Sequence, residues 1–123
     1  MIRNVMVTRW KMKKKFSDAF TGLLKGTGHR SILTQYILAA MAVCAGFVLH
    51  LRVLEWVAVI VCIGLVITAE ILNTCIEKLC DLYSTDYSNR IREIKDLAAG
   101  AVLAASLTAF VTAMVILFSH IGG

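Results

Sequence analysis

Three stretches of the chain are long and apolar enough to cross a membrane, and they constrain the fold more than any other feature. Residues 31–51 and 97–123 contain no Asp, Glu, Lys or Arg, and residues 56–76 contain only Glu70. A helix crosses a bilayer core with about 20 apolar residues, and the chain of 123 residues has no proline to interrupt one. The sequence therefore predicts an all-α integral membrane protein with three transmembrane helices, forming a single domain over residues 1–123.

The limits of the predicted helices follow from the edges of these stretches. The three spans are expected within helices at about residues 31–51, 53–83 and 89–120. At about 1.5 Å per residue, the helix over 53–83 covers roughly 45 Å and is longer than the hydrocarbon core. Its last turns are therefore expected to reach the membrane surface.

An amphipathic helix is predicted ahead of the first span, at about residues 10–25. One side of this helix is apolar, through Met12, Phe16, Ala19, Phe20, Leu23 and Leu24. The other side is polar, through Lys14, Lys15, Asp18, Thr21 and Lys25. The pattern is typical of an interfacial helix that lies in the headgroup plane with its basic face toward anionic lipid. Packing of its apolar side against the protein's own spans is the alternative.

The basic residues are distributed unevenly along the chain. Eight Lys or Arg residues precede the first span, four lie between residues 78 and 95, and only Arg52 lies in the connection between the first two spans. By the positive-inside rule, the N-terminus and the 78–95 connection are expected on the cytoplasmic side. Anionic lipid explains the basic N-terminal segment more simply than nucleic acid, which is not an expected partner.

A polar stripe interrupts the second apolar stretch. Glu70, Asn73, Glu77 and Asp81 are spaced by three, four and four residues, which places them within roughly 80° of one another on a helix. Counted from Trp56 at the outer interface, Glu70 lies about 21 Å into the membrane and Glu77 about 32 Å, at the cytoplasmic surface. Because an ionisable side chain in hydrocarbon is energetically costly, this stripe is a candidate functional site.

The order of these groups in depth fits phosphoryl transfer from a nucleotide to a lipid hydroxyl. Glu70 lies at the depth of such a hydroxyl and is the candidate general base, with Asn73 beside it. Glu77 lies where nucleotide-bound Mg²⁺ would arrive, since this ion takes one or two carboxylates together with phosphate oxygens. Lys95 and Asp96 are candidates for contacting the phosphates. The alternatives are a structural hydrogen bond at Glu70 and ordinary surface charges elsewhere.

Three segments of the chain resemble the prokaryotic diacylglycerol kinase and undecaprenol kinase family. EILNTCIEKLCD at 70–81 carries the most specific likeness, IKDLAAGAVL at 94–103 a second, and AFTGL at 19–23 a weaker one. The resemblance implies a homotrimer in the bacterial cytoplasmic membrane that transfers the γ-phosphate of MgATP to a membrane lipid alcohol, diacylglycerol or undecaprenol. It implies that Glu70 is the base, Asn73 an active-site polar group and Glu77 a metal ligand. It also implies a nucleotide site formed by Asp86, Tyr87, Ser88, Lys95 and Asp96.

The chain departs from the family pattern just before the first span, where the family has a further metal-binding Glu. The best alignment puts Arg30 at that position, and no Asp or Glu occurs between Asp18 and Glu55. A missing carboxylate and a nearby positive charge both weaken metal binding.

This departure has three possible causes. Asp18 or a carboxylate of another subunit substitutes, Arg30 itself contacts phosphate, or the protein is a catalytically weak or repurposed relative. A further hypothesis is a small transporter that exchanges a proton at Glu70 for a solute. The ordered polar stripe and the lack of an internal repeat argue against that hypothesis.

Overall fold

The computed structural model describes residues 2–122, and helices dominate it. Helix α1 spans Ile2–Lys25 and is followed by a 3₁₀ turn, Gly26–Gly28. Helices α2 (Arg30–Leu49), α3 (Val53–Tyr83) and α4 (Asn89–Ile121) complete the fold. Each of these three helices is long and apolar enough to cross a membrane. The prediction of an all-α fold with three spans and a preceding N-terminal helix is confirmed.

The helix limits lie near the predicted ones except at the N-terminus. Helix α1 begins at Ile2, whereas the amphipathic pattern is most regular from residue 10. Residues 2–9 contain neither Gly nor Pro, so nothing in this segment terminates the helix. Helix α2 ends at Leu49 because His50 adopts the left-handed conformation and donates its N–H to the Gly46 and Phe47 carbonyls. Residues 1 and 123 of the predicted domain lie outside the described range.

Helix α3 packs mainly against α4 along a narrow line of buried residues. This line consists of Val66, Glu70, Asn73 and Cys80 on α3 and of Ala98 and Ala105 on α4. Spacings of three, four and seven residues keep such positions on one side of a helix. The two alanines have short side chains that let the helices approach closely. The packing face of α3 therefore carries the inner half of the predicted polar stripe.

Helix α2 packs against the start of α3 through an aromatic ring. A Cβ atom added at Gly46 would lie 2.6 Å from Cη2 of Trp56, so the contact requires glycine. The Trp56 ring also lies 4.9 Å from the Phe47 ring, tilted by 54°. The side chain of Glu55 accepts a 3.0 Å hydrogen bond from the Arg52 N–H and lies 2.9 Å from Nε2 of His120. These contacts join the three spanning helices at the end opposite to the α3–α4 connection.

Helix α1 leaves the spanning helices at a tight elbow. Gly26 is buried there, and an added Cβ atom would collide with Ile32 and Tyr36. The Tyr36 hydroxyl donates a 2.6 Å hydrogen bond to the carbonyl of Leu23. Helix α1 makes its main contacts with the 3₁₀ turn, and its apolar side chains are exposed, Phe16 at 74%. The structure thus favours the interfacial alternative over packing against the protein's own spans.

Candidate functional site

Glu70 and Asn73 are the buried polar side chains of residues 2–122, with exposed fractions of 7% and 9%. Both lie on the packing face of α3, opposite the small side chains of α4. The hydroxyl of Thr74 donates a 3.0 Å hydrogen bond to the backbone carbonyl of Glu70 and so leaves its carboxyl group free. A carboxyl group and an amide therefore lie one helical turn apart within an otherwise apolar interface.

Asn73 connects this buried pair to an exposed carboxylate. Its Nδ2 donates a 3.1 Å hydrogen bond to Oε1 of Glu77, one turn closer to the α3–α4 connection. Its Oδ1 is enclosed and has no hydrogen-bond partner. An unsatisfied buried acceptor costs about 1–3 kcal/mol. Such a cost at a polar stripe points to a proton-bearing group that completes the hydrogen bonding of Asn73.

The exposed end of the stripe is tied to α4 by an ion pair. Nζ of Lys95 lies 2.8 Å from Oδ1 of Asp81, and the two side chains are 37% and 59% exposed. Because water screens such a pair, it contributes at most about 1 kcal/mol to stability. Its main effect is positional, since it holds the Lys95 ammonium beside the stripe, one turn beyond Glu77.

A second contact brings the start of α2 to the same end of α3. Nζ of Lys78 lies 3.2 Å from Nε2 of His29, so the ammonium donates and the imidazole accepts. Arg30 follows His29 as the exposed first residue of α2. Where the family has a carboxylate, this chain therefore carries basic groups close to the neighbour of Glu77.

Asp18, one of the candidate substitutes for that carboxylate, does not lie at the stripe in this chain. It is exposed on α1, which contacts mainly the 3₁₀ turn. It takes part in none of the ion pairs of residues 2–122. A carboxylate from another subunit, a phosphate contact by Arg30 or a repurposed function therefore accounts better for the departure at Arg30.

Asp96 lies apart from Lys95 although the two are adjacent in sequence. It pairs with Arg92 on α4 itself, with Nε and Oδ2 3.7 Å apart. On the helix it is turned from the Ala98 packing position by roughly 160°. The structure thus brings Lys95 to the stripe and leaves Asp96 on the opposite side of α4.

The remaining predicted nucleotide residues lie on the connection between α3 and α4. Asp86 donates its N–H to Oγ of Ser84 at 3.1 Å, and the Tyr87 hydroxyl donates to Oδ1 of Asn89 at 3.0 Å. Ser88 occupies the N-cap position of α4, without a side-chain hydrogen bond. Among the described residues, these three form no side-chain hydrogen bond with the stripe.

A shallow groove of about 490 Å³ runs along the α3–α4 interface beside Asn73. Its walls are formed by apolar and small side chains, including Leu72, Ala101 and Ala105. Grooves of this composition accommodate hydrocarbon, while a few polar groups orient the ligand. The groove therefore suits a lipid chain whose polar end lies near Asn73.

The oxygen donors at this site fit Mg²⁺ that arrives with a nucleotide. Glu77 offers a carboxylate, and Mg²⁺ commonly takes one or two carboxylates together with substrate phosphates. Across residues 2–122, no three His, Cys, Asp or Glu side chains converge on one point. The chain therefore supplies ligands for a nucleotide-bound ion and not a complete cage for a resident one.

Two contacts of the site were missed by the sequence-based prediction, which assigned no partner to Asp81 and no role to His29 or Lys78. The available signal was charge: Asp81 and Lys95 flank a short connection with opposite signs. Charge alone does not give the register of two helices, and that register decides which side chains meet.

Comparisons with known proteins agree with this architecture. The sequence profile described as prokaryotic diacylglycerol kinase matches residues 17–117. An undecaprenol kinase of Bacillus subtilis (strain 168) is 39% identical over 67 residues, which are 51% of this chain and 54% of the relative. Diacylglycerol kinases of Escherichia coli (strain K12) and Shigella flexneri are each 38% identical over 58 residues, 47% of this chain and 48% of theirs.

The fold and the site define a small helical membrane domain with a carboxyl–amide pair in its helix interface. Together with the profile match, which covers most of the sequence, they identify the family. The chain belongs to the prokaryotic diacylglycerol kinase family. It spans about half the length of the curated relatives it matches.

Proposed function

We propose that the protein is an integral-membrane lipid kinase that transfers the γ-phosphate of ATP to the hydroxyl of a lipid alcohol, diacylglycerol or undecaprenol. The observation that carries the proposal is the hydrogen bond between Asn73 and Glu77. It links a buried carboxyl–amide pair to an exposed carboxylate, and a lipid hydroxyl must meet a water-soluble nucleotide across such a boundary. Family membership and the names of the relatives support the same activity.

Glu70 is the proposed general base of the transfer. The lipid O–H bond breaks with its proton passing to the Glu70 carboxylate, the lipid oxygen bonds to the γ-phosphorus, and the bond to the ADP oxygen breaks. Oδ1 of Asn73 accepts a hydrogen bond from the proton-bearing group, which is the lipid hydroxyl before transfer and the Glu70 carboxyl after it. This role gives the unpartnered acceptor a function.

The nucleotide is proposed to bind at the exposed end of the stripe. Glu77 is the proposed ligand of the accompanying Mg²⁺, which neutralises phosphate charge when bound. Lys95, oriented by Asp81, is the proposed phosphate contact, and Arg30 adds positive charge nearby. Asp86, Tyr87, Ser88 and Asp96 are the remaining proposed nucleotide residues, on the side of the α3–α4 connection.

The test is transfer of labelled phosphate from ATP to a panel of lipid alcohols in nanodiscs, with and without Mg²⁺. Glu70→Gln is expected to lower transfer by about 100-fold or more. Glu93→Gln, which removes an exposed carboxylate from α4, is the matched control and should stay within about twofold of the native rate. Absence of transfer to every alcohol tested, by native chain shown to be folded, would contradict the proposal.

Two rival functions predict different results. A proton-coupled transporter would take up solute into liposomes without ATP, and this uptake would depend on Glu70. For a catalytically weak relative, Arg30→Glu would restore the family carboxylate and raise MgATP-dependent transfer substantially. We expect Arg30→Glu to lower transfer instead, because it removes a positive charge from the phosphate side of the site.

We further infer a homotrimer in the bacterial cytoplasmic membrane, with its N-terminus on the cytoplasmic side. The support is the family resemblance, the exposed small residues Ala101 and Ala104 on α4, and the uneven distribution of basic residues. Chemical crosslinking in native membranes tests the oligomer. Labelling of lysines in sealed vesicles tests the orientation.

A further inference from the structure

Residues 2–15 extend α1 beyond the part of the chain that the family profile matches. That match begins at residue 17, whereas α1 runs without a break from Ile2 to Lys25. At about 1.5 Å per residue, the extension reaches roughly 36 Å from the elbow at Gly26. It contains no Asp or Glu and six basic residues: Arg3, Arg9, Lys11, Lys13, Lys14 and Lys15.

The extension presents two chemically different faces, and the rest of the chain covers neither. Val5 and Met12 lie on one side in line with Phe16, and all three are more than half exposed. Lys11 and Lys14 lie on the other side. Because the apolar side continues along α1 to the elbow before the first span, this face is expected at the boundary between headgroups and acyl chains.

The basic side chains of the extension have no acidic partners within the described part of the chain. None of the ion pairs there includes a residue of α1. Nζ of Lys14 lies over the Trp10 ring, 5.5 Å from its centroid, a cation–π contact that leaves the charge uncompensated. Six such charges close together attract anionic groups, and at a membrane surface these are lipid phosphates.

The position of Arg9 favours a membrane over a soluble acidic partner. On the helix it falls between Val5 and Phe16, in the middle of the apolar face. A long guanidinium side chain at such a position buries its stem in hydrocarbon and extends its head to the phosphate level. An acidic protein surface offers no such layering of hydrocarbon and phosphate.

We propose that residues 2–15 form a binding surface for phosphomonoester lipids, the products of the proposed reaction. The identity of the ligand rests on the proposed lipid kinase function, whereas the surface itself rests on α1. A lipid alcohol is uncharged, but a phosphomonoester carries about −1.5 to −2 charges at pH 7 and three strong acceptor oxygens. Lys and Arg donate charge-assisted hydrogen bonds to such oxygens. The extension therefore distinguishes product from substrate and retains the product near the enzyme.

The test uses the full chain in nanodiscs without ATP, so that its result does not depend on catalysis. The lipids are phosphatidylcholine alone or with phosphatidic acid or phosphatidylglycerol, the two anionic lipids at matched total charge. The signal of Trp10, taken as the difference from Trp10→Phe, is quenched by lipids brominated near the headgroup. We expect about twofold more quenching with phosphatidic acid than with phosphatidylcholine, and an intermediate value with phosphatidylglycerol.

Charge variants locate the effect on α1. Replacing Lys11, Lys13 and Lys15 by Gln should remove the response to phosphatidic acid while keeping the Lys14–Trp10 contact. Arg90→Gln, which removes a positive charge from α4, should leave the response unchanged.

Two outcomes would overturn the proposal. Equal quenching in phosphatidic acid and phosphatidylglycerol would reduce the extension to a general anionic-surface helix. Equal quenching in all three compositions would exclude lipid recognition and favour an acidic soluble partner. A folded chain that transfers no phosphate but keeps the phosphatidic acid response would remove the proposed kinase function and support the binding surface.

Discussion

Nζ of Lys95 on α4 lies 2.8 Å from Oδ1 of Asp81 on α3, across the exposed end of the stripe that begins at Glu70. A lysine side chain is long and flexible, so a free ammonium would lose considerable rotamer freedom on meeting a phosphate. Asp81 already restricts that freedom. Asp81 is therefore inferred to be a positioning residue for Lys95.

Substitution of each partner in turn should separate these roles. Lys95→Gln is expected to lower phosphate transfer by about tenfold or more, mainly through the KM for ATP, because it removes a phosphate contact. Asp81→Asn should cause a smaller loss, since the ammonium stays but is less ordered. Steady-state kinetics at varied ATP concentration measure both. Equal effects on kcat with no change in KM would contradict the assignment.

Asn73→Leu should separate stability from activity. The substitution removes the unpartnered acceptor Oδ1, and it also removes the hydrogen bond to Glu77. The midpoint of thermal unfolding in detergent is expected to stay level or rise, corresponding to a stability change within about 1 kcal/mol. Phosphate transfer should fall by about 100-fold. A large loss of stability would show that the amide is mainly structural.

Gly46→Ala should destabilise the fold without involving the site. The new methyl group would lie 2.6 Å from the Trp56 ring, and overpacking of this kind costs about 1–3 kcal/mol. Gly64→Ala on α3 is the control, because no atom lies within 4 Å of its added Cβ. It should be neutral or raise stability by up to about 1 kcal/mol through helix propensity. Thermal unfolding of the two variants in the same detergent compares them directly.

The Glu55–His120 contact should stabilise the end of the bundle remote from the site. A double-mutant cycle with Glu55→Gln and His120→Ala is expected to give a coupling energy of about 0.5–3 kcal/mol. Because Glu55 precedes Glu70 by about 22 Å along α3, phosphate transfer in the single variants should remain near native. A strong loss of transfer with unchanged stability would indicate long-range coupling.

The spanning helices could be predicted because membrane thickness and the missing proline leave few alternatives for long apolar stretches. The limits of α3 were predicted from the polar residues that bound it. The start of α1 was less evident, because Val7 and Arg9 interrupt the two-sided pattern without ending the helix. Amphipathicity reports which side of a helix is covered, whereas helix continuation depends on the absence of breaking residues.

The candidate site was predicted in part. The burial of Glu70 and Asn73 and the exposure of Glu77 agree with their expected depths. The pairing of Lys95 with Asp81, and the separation of Lys95 from Asp96, depend on how α4 is rotated against α3. That rotation is set by the contacts of Ala98 and Ala105, whose small side chains give little signal in a sequence.

The line of buried residues between α3 and α4 has a consequence for how the protein responds to its surroundings. It is a single row of side chains, so the described chain encloses Glu70 on one flank and leaves the other to whatever adjoins it. Lipid tails, detergent or a neighbouring copy then set the polarity around the carboxyl group as much as the sequence does. Transfer from a bilayer to a micelle therefore acts on the reaction centre much as a substitution would.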